Sequence, residues 1–165
     1  MKSFWLILSL LFVLLSCDQG LAPPPPERPT GIRGTVVFVN DWPPPDSVQE
    51  LRVVAFQRFP FEDSAGIIAE VLAGRAFFSD TLPRFVDSAT YEVLLQSPFP
   101  DTLRYVAVAW RYGPNLFGDW WVAAVYGSFS QDTVVPRKIP VIPQTVVESV
   151  DMRVDFRHLP PQPFE

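Results

Sequence analysis

Residues 150–157 read Val150-Asp151-Met152-Arg153-Val154-Asp155-Phe156-Arg157, an unbroken alternation of apolar and charged side chains. Successive side chains of a β-strand point to opposite faces, so the apolar residues of this stretch share one face and the charged residues share the other. The stretch therefore predicts a strand with one face on a hydrophobic core and the other in water.

Similar stretches precede it along the chain. Residues 31–39 alternate in the same way, and residues 103–112 are apolar on both faces over their middle, which is typical of a central strand. Further strands are predicted at residues 51–58, 91–95, 120–126, 134–135 and 141–142, and a short extended piece is predicted at residues 75–79. Proline and glycine residues separate these stretches. The sequence thus predicts a mainly β domain over residues 31–158, an antiparallel β-sandwich of about seven to eight strands.

One stretch has the spacing of a helix. Residues 63–73 place four apolar side chains on one helical face, Asp63 or Ser64 can cap the start, and Gly74 can end it. We therefore expect one short helix, inserted between two strands. Its predicted buried face consists of Ile67, Ile68, Val71 and Leu72.

The N-terminus has the layout of a secretory signal. Lys2 gives a positive start, an apolar run extends from residue 4 to residue 15, and the small residue Ser16 precedes Cys17. At about 1.5 Å per residue the run covers roughly 18 Å, which is short of a bilayer core of about 30 Å. We expect residues 1–16 to be a signal helix that is cleaved as a signal peptide.

The stretch Leu14-Leu15-Ser16-Cys17 resembles the lipobox of bacterial lipoproteins. The resemblance implies a lipid on the sulfur of Cys17, cleavage between Ser16 and Cys17, and often a further acyl chain such as palmitate on the new amino group. Two or more acyl chains hold a protein stably on a membrane, whereas one chain binds only marginally. An ordinary signal peptide with a chance cysteine near its cut is the alternative.

The cysteine count and the charge constrain the rest of the chain. Cys17 is the only cysteine, so lipidation accounts for an exported thiol, and no disulfide can hold the domain. The net charge of −5 makes nucleic acid a poor partner. Residues 17–30 form a Pro-rich linker whose Pro23-Pro24-Pro25-Pro26 run favours an extended spacer, and residues 159–165 form a Pro-rich tail.

Several predicted strands together resemble a known sandwich. Residues 31–38, 51–56, 91–95 and 103–110 are similar to the transthyretin-like, carboxypeptidase-regulatory-like domain, an immunoglobulin-like sandwich that also occurs in uncharacterised bacterial lipoproteins. The superfamily includes hydroxyisourate hydrolases, which use several histidines and a C-terminal Tyr-Arg-Gly-Ser. This chain has one histidine and ends Gln162-Pro163-Phe164-Glu165, so the resemblance does not imply that activity.

Few residues are suited to chemistry. His158 is the only histidine and Cys17 is expected to be acylated, so we expect neither a nucleophile–histidine pair nor a zinc site. The chain contains no EF-hand pattern and no glycine-rich phosphate loop. A pair of facing carboxylates, as in glycosidases, is the remaining enzymatic alternative. Asp151 and Asp155 alternate with arginine, which favours a solvated face. We expect no catalytic residue, no metal and no cofactor.

The tryptophans give the remaining functional indication. Trp42, Trp120, Trp121 and Phe117 lie in or beside predicted loops. Trp120 and Trp121 are adjacent, so on a strand they point to opposite faces. Exposed tryptophans can stack on sugars or anchor a protein partner. Packing into the core is the interpretation that we favour.

These features predict a non-enzymatic lipoprotein of the bacterial cell envelope, facing the periplasm or the exterior, with an accessory or binding role. Its partners would be the membrane, through the lipid on Cys17, and an envelope protein or a glycan. The alternative is a carbohydrate- or protein-binding surface lipoprotein that uses Trp42, Trp120 and Trp121.

Overall fold

The computed structural model of the chain describes residues 28–164, which form two main β-sheets. The predicted signal peptide, Cys17 and most of the predicted linker lie outside the described residues. One helix, α1 (Ser64–Leu72), and a 3-10 turn at Pro45–Ser47 interrupt the strands of the described part. Those strands are β1 Gly31–Val39, β2 Glu50–Phe56, β3 Ala76–Phe78, β4 Ser88–Leu94, β5 Thr102–Leu103, β6 Tyr105–Arg111, β7 Trp120–Val125, β8 Gly127–Phe129, β9 Val134–Pro136, β10 Ile139–Pro140, β11 Val146–Val147 and β12 Met152–Asp155.

Two four-stranded sheets confirm the predicted mainly β sandwich. In the first sheet, β1 pairs with β4 on one side and with β11 and β12 on the other. The second sheet has the order β3-β2-β6-β7, and all its pairings are antiparallel. The pairings of β1 with β11 and β12 are parallel, so the expectation of a wholly antiparallel sandwich was wrong there. Alternating side chains show which face of a strand is buried, but they do not show the direction of its neighbour.

The hydrophobic core lies between the two sheets. The alternation predicted for residues 150–157 is confirmed over its first five residues, because Val150, Met152 and Val154 are buried while Asp151 and Arg153 are exposed. The partly buried Phe156 packs against the same core. The inward residues of the other strands include Ile32, Val36, Phe38, Leu51, Val53, Tyr91, Val93, Val106 and Val108.

A second cluster covers the outer face of the second sheet. Phe56, Phe61 and Tyr105 form its centre, and Ile67 of α1 packs against it. Ring contacts join the aromatic members, with centroid distances of 5.0 Å for Phe56–Phe61 and 4.9 Å for Phe59–Tyr105. Strand β6 is therefore buried on both faces, as its sequence predicts.

Helix α1 begins and ends where the sequence predicts, but it buries only the Ile67 and Ile68 part of the predicted face, and Val71 and Leu72 are exposed. The carboxylate of Asp63 accepts a hydrogen bond from the backbone N–H of Gly66 at 2.7 Å, and Gly74 adopts φ of 69° after the last turn. Leu72 is 76% exposed, whereas Glu70 is buried. Glu70 faces inward because Arg75 donates two hydrogen bonds of 2.8 Å to its carboxylate. The hydrogen bond from Arg75 holds the pKa of Glu70 below its ordinary value.

A close backbone crossing holds the parallel part of the first sheet. Segment 148–151 passes over Gly34 of β1, where a Cβ would lie 2.2 Å from the carbonyl oxygen of Val150. The backbone N–H of Val150 donates to the carbonyl of Arg33, and the Tyr91 hydroxyl donates to the carbonyl of Val150 at 2.6 Å. Only glycine leaves room for this crossing.

Two short strands and the C-terminal segment differ from the sequence prediction. Strands β8 and β11 were not predicted, and the strand predicted at residues 141–142 lies instead at β10. Pro160, Gln162 and Pro163 are buried. The side-chain oxygen of Gln162 accepts a hydrogen bond from the backbone N–H of Val122 in β7, so the last residues cover part of an edge strand.

Candidate functional site

The loop between β6 and β7 is an ordered hairpin held by two polar side chains. The carboxylate of Asp119 accepts from the backbone N–H of Asn115 at 2.8 Å. The side-chain oxygen of Asn115 accepts from the backbone N–H groups of Phe117 and Gly118 at 3.0 and 3.1 Å. The backbone N–H of Tyr112 donates to the carbonyl of Asp119, which closes the loop.

This hairpin presents large apolar side chains to solvent. Leu116 is 62% exposed and Phe117 is 69% exposed, while Tyr112 and Trp121 beside them are each 38% exposed. We call Tyr112, Leu116, Phe117 and Trp121 the hydrophobic tip. Isolated exposed apolar residues are normal on a protein surface, but four large apolar side chains exposed on one ordered loop and its flanking residues indicate a contact surface.

Trp120 forms the base of the hydrophobic tip. Its indole N–H donates to the carbonyl of Leu116 at 2.8 Å, and the guanidinium of Arg111 lies 5.9 Å from its ring centre. Arg111 in turn forms a 3.2 Å ion pair with Glu50. Burial alone would raise the pKa of Glu50, but hydrogen bonds from Arg52 and Arg111 bring that pKa below its ordinary value. The charges under the tip are therefore paired.

The three tryptophans of the sequence prediction have different surroundings. Trp42 packs into an aromatic cluster, with ring centroids 4.5 Å from Phe38 and 5.1 Å from Phe156. Trp121 pairs with Trp110 across the β6–β7 ladder, whereas Trp120 pairs with Arg111, so the two adjacent side chains take opposite faces. Trp42 thus belongs to the core packing, and Trp121 belongs to the exposed tip.

A chain of ring contacts connects the aromatic cluster around Trp42 to Tyr112 of the hydrophobic tip. Phe156 lies 5.2 Å from Trp110, and Trp110 lies 6.1 Å from Tyr112. The hydrophobic tip therefore lies at the end of the sandwich where β1 ends.

Leu116 and Tyr112 were not among the candidate residues predicted from the sequence. The available signal was the pair Leu116-Phe117, two large apolar residues directly after the turn residues Gly113-Pro114-Asn115.

A shallow groove of about 470 Å³ holds the only histidine of the chain. The Nδ1 atom of His158 lies 3.1 Å from the carboxylate of Asp155, and the side-chain amide of Asn40 donates to the same carboxylate at 2.8 Å. The side chain of His158 is 78% exposed. The carboxylate of Asp151 accepts from the backbone N–H of Thr35 at 2.8 Å. The bond from Asn40 joins the end of β1 to β12, and the bond from Thr35 joins the middle of β1 to the segment before β12.

The hydrogen bonds on Asp155 predict a pH-dependent stability. The hydrogen bond from Asn40, followed by that from His158, lowers the pKa of Asp155 from 3.8 to about 2. The stabilisation is fully present above the ordinary pKa and is lost as the pH falls through the folded-state pKa. Between pH 4 and pH 2 the thermal midpoint of the wild type should fall more steeply than that of Asp155→Asn. Asp132→Asn, at an exposed turn, should retain the wild-type slope, and equal slopes for all three proteins would contradict this prediction.

The remaining candidate features are the predicted lipidation site, metal sites and membrane-spanning helices. Cys17 and Ser16 lie outside the described residues. Over residues 28–164 no group of three His, Cys, Asp or Glu side chains could hold a metal ion. In the same part of the chain, no helix has the length and apolar character needed to cross a bilayer.

Comparisons with protein-family models, with curated proteins and with solved structures find no match for this chain.

Proposed function

We propose that this chain is a non-enzymatic, lipid-anchored protein of a bacterial envelope, and that its β-sandwich is a binding module that makes contact through the hydrophobic tip. The observation that carries the binding role is the exposure of Leu116 and Phe117 on a hairpin that Asn115 and Asp119 hold in place. The anchor rests on the sequence Leu14-Leu15-Ser16-Cys17.

The position of the tip relative to the start of the domain supports this role. Strand β1 has nine residues and covers roughly 30 Å. It begins at Gly31, beside Leu94 and Val146, and it ends beside the aromatic cluster that underlies the tip. The tip and the tethered start of the domain therefore lie at opposite ends of the sandwich, so the tether does not cover the tip.

The size of the tip indicates that its contact is weak by itself. Full burial of a Leu or Phe side chain contributes about 1.5–3 kcal/mol, so the exposed two thirds of Leu116 and Phe117 would contribute about 2–4 kcal/mol together. That corresponds to a millimolar dissociation constant at best. A tether that holds the domain near its target supplies an effective concentration of the same order. The proposed lipid anchor and the proposed contact surface therefore support each other.

The surroundings of His158 support the non-enzymatic part of the proposal. General acid–base or nucleophilic catalysis uses a pocket in which the base reaches a nucleophile. His158 is instead exposed at the rim of a shallow groove and hydrogen-bonded to Asp155.

A carbohydrate-binding role is the second candidate, and the exposure of Trp121 favours it. An indole that is 38% exposed can stack on a sugar ring. Trp42 is enclosed by Phe38, Phe85 and Phe156, and one face of Trp120 is occupied by Arg111. The sugar platform would therefore be Trp121 with Tyr112 or Phe117.

Mass spectrometry of the protein purified from its own membranes tests the anchor. The expected N-terminal peptide begins at Cys17 and carries the added mass of acyl chains. An unmodified peptide that begins upstream of Cys17 would contradict the proposed function.

A further inference from the structure

We propose that the hydrophobic tip inserts into the interfacial region of a zwitterionic lipid bilayer, the same bilayer that holds Cys17. This inference rests on the proposed function for the tether. It assigns Leu116 and Phe117 to the acyl side of the interface, and Tyr112 and Trp121 to the headgroup level.

The first observation is the order of side chains along the hairpin. The middle of the loop carries one aliphatic and one phenyl side chain, Leu116 and Phe117, which are the most exposed residues of the tip. The flanking Tyr112 and Trp121 are less exposed and each carries one polar group. Tryptophan and tyrosine favour the membrane–water interface, where one end of the ring is apolar and the other is wet.

The second observation is that most of the backbone donors of the hairpin have acceptors within the loop. Six N–H donors have acceptors within the loop. They are the backbone N–H groups of Tyr112, Asn115, Phe117, Gly118 and Asp119 and the indole N–H of Trp120. An unsatisfied donor is costly where water is absent, so these six bonds lower the cost of moving the loop out of water.

The third observation is the charge at the tip. Asp119 is the only charged residue between Tyr112 and Trp121, and its carboxylate is bound by the N–H of Asn115. Below it, Arg111 is paired with Glu50. A tip without a free cation does not select anionic lipids, and the net charge of −5 opposes them. The apolar contact therefore favours a zwitterionic surface.

The fourth observation is the length of chain before the domain. Residues 18–30 separate Cys17 from Gly31, and thirteen residues can span up to about 43 Å. That reach exceeds the roughly 30 Å of β1. The domain can therefore turn its distal end toward the membrane to which it is tethered.

The test uses the single cysteine of the chain. If Cys17 is acylated, Phe117→Cys introduces a unique thiol for a polarity-sensitive fluorophore. Ile142→Cys is the matched control, because Ile142 is an exposed apolar loop residue at the other end of the sandwich, 57% exposed and close in sequence to Thr145, which bonds to Gly31. The full chain, recovered from membranes, is placed in phosphatidylcholine vesicles that contain spin-labelled lipids.

The expected result is a blue shift and several-fold stronger quenching at position 117 than at position 142. Leu116→Ser should lower the population of inserted tips by roughly tenfold, since each tenfold corresponds to about 1.4 kcal/mol. Equal quenching at both positions, or stronger quenching at 142, would overturn the proposal. A shift at 117 that occurs only in native membranes, and not in protein-free vesicles, would also overturn it and would indicate a protein partner.

Labelling of the wild-type chain separates this proposal from the proposed function. Incorporation of the fluorophore at Cys17 would show that the cysteine is not acylated, so the anchor would fail. Insertion of the tip would then be tested with the double variant Cys17→Ser/Phe117→Cys, labelled at position 117 and mixed with millimolar phosphatidylcholine vesicles that contain spin-labelled lipids. Quenching there would support insertion without the anchor, and its absence would overturn insertion as well.

Discussion

Replacement of Cys17 by serine is expected to abolish lipid incorporation and to release the protein from the membrane, or to leave it as an unprocessed precursor. Serine cannot form the thioether that the lipobox resemblance implies. Each buried CH₂ of an acyl chain contributes about 0.8 kcal/mol, so loss of two or more chains changes membrane partition by many orders of magnitude. This is the largest effect that we expect from one substitution.

The measurement is fractionation of cells grown with a labelled fatty acid, together with the apparent mass of the product. Ser16→Ala is the matched control, because alanine keeps a small residue before the cysteine, and it should be processed and retained like the wild type. A Cys17→Ser protein with the mature mass that stays in the membrane fraction would contradict the lipoprotein proposal.

Gly34→Val is expected to lower the free energy of unfolding by about 3 kcal/mol, at the upper end of overpacking effects. A Cβ at position 34 would lie 2.2 Å from the carbonyl oxygen and 2.5 Å from the carbonyl carbon of Val150. Both are backbone atoms, so the clash cannot be relieved by a side-chain rotation. The segment before β12 would have to move, and with it the hydrogen bond from Val150 to Arg33.

Urea denaturation of the purified variants provides the measurement. Gly66→Ala is the matched control, because a Cβ there would lie 3.5 Å from the Asp63 carboxylate, an ordinary contact, within α1. Alanine in a helix should stabilise the protein by about 0.5–1 kcal/mol. Wild-type stability in Gly34→Val would show that the crossing of Val150 over β1 is wrong.

Helix α1 shows which features a local sequence pattern can predict and which it cannot. Asp63 and Gly74 predicted its two ends, because capping and left-handed backbone depend on the residue itself. The buried face could not be predicted in the same way. The spacing of Val71 and Leu72 favoured their burial, but the pairing of Glu70 with Arg75 placed a carboxylate on the inner side.

The candidate site was predicted only in part. Trp120 and Trp121 were recognised as residues beside a loop, and their opposite orientation follows from strand geometry. The separation of Trp42 from Trp121 could not be predicted, because the enclosure of Trp42 depends on Phe85 and Phe156, which are distant in sequence. Hydrophobicity alone does not distinguish an exposed Leu116 from a buried leucine.

Local side-chain patterns were enough to predict a mainly β domain, the central position of β6, the helix between β2 and β3, and the inward face of β12. These features follow from periodicity and from the conformational preferences of single residues, which are properties of short stretches of chain. The parallel pairing of β12 with β1, the crossing of Val150 over Gly34 and the exposure of Leu116 and Phe117 depended on the assembled sandwich. They arise from contacts between residues far apart in sequence, and no short stretch of the chain contains both partners.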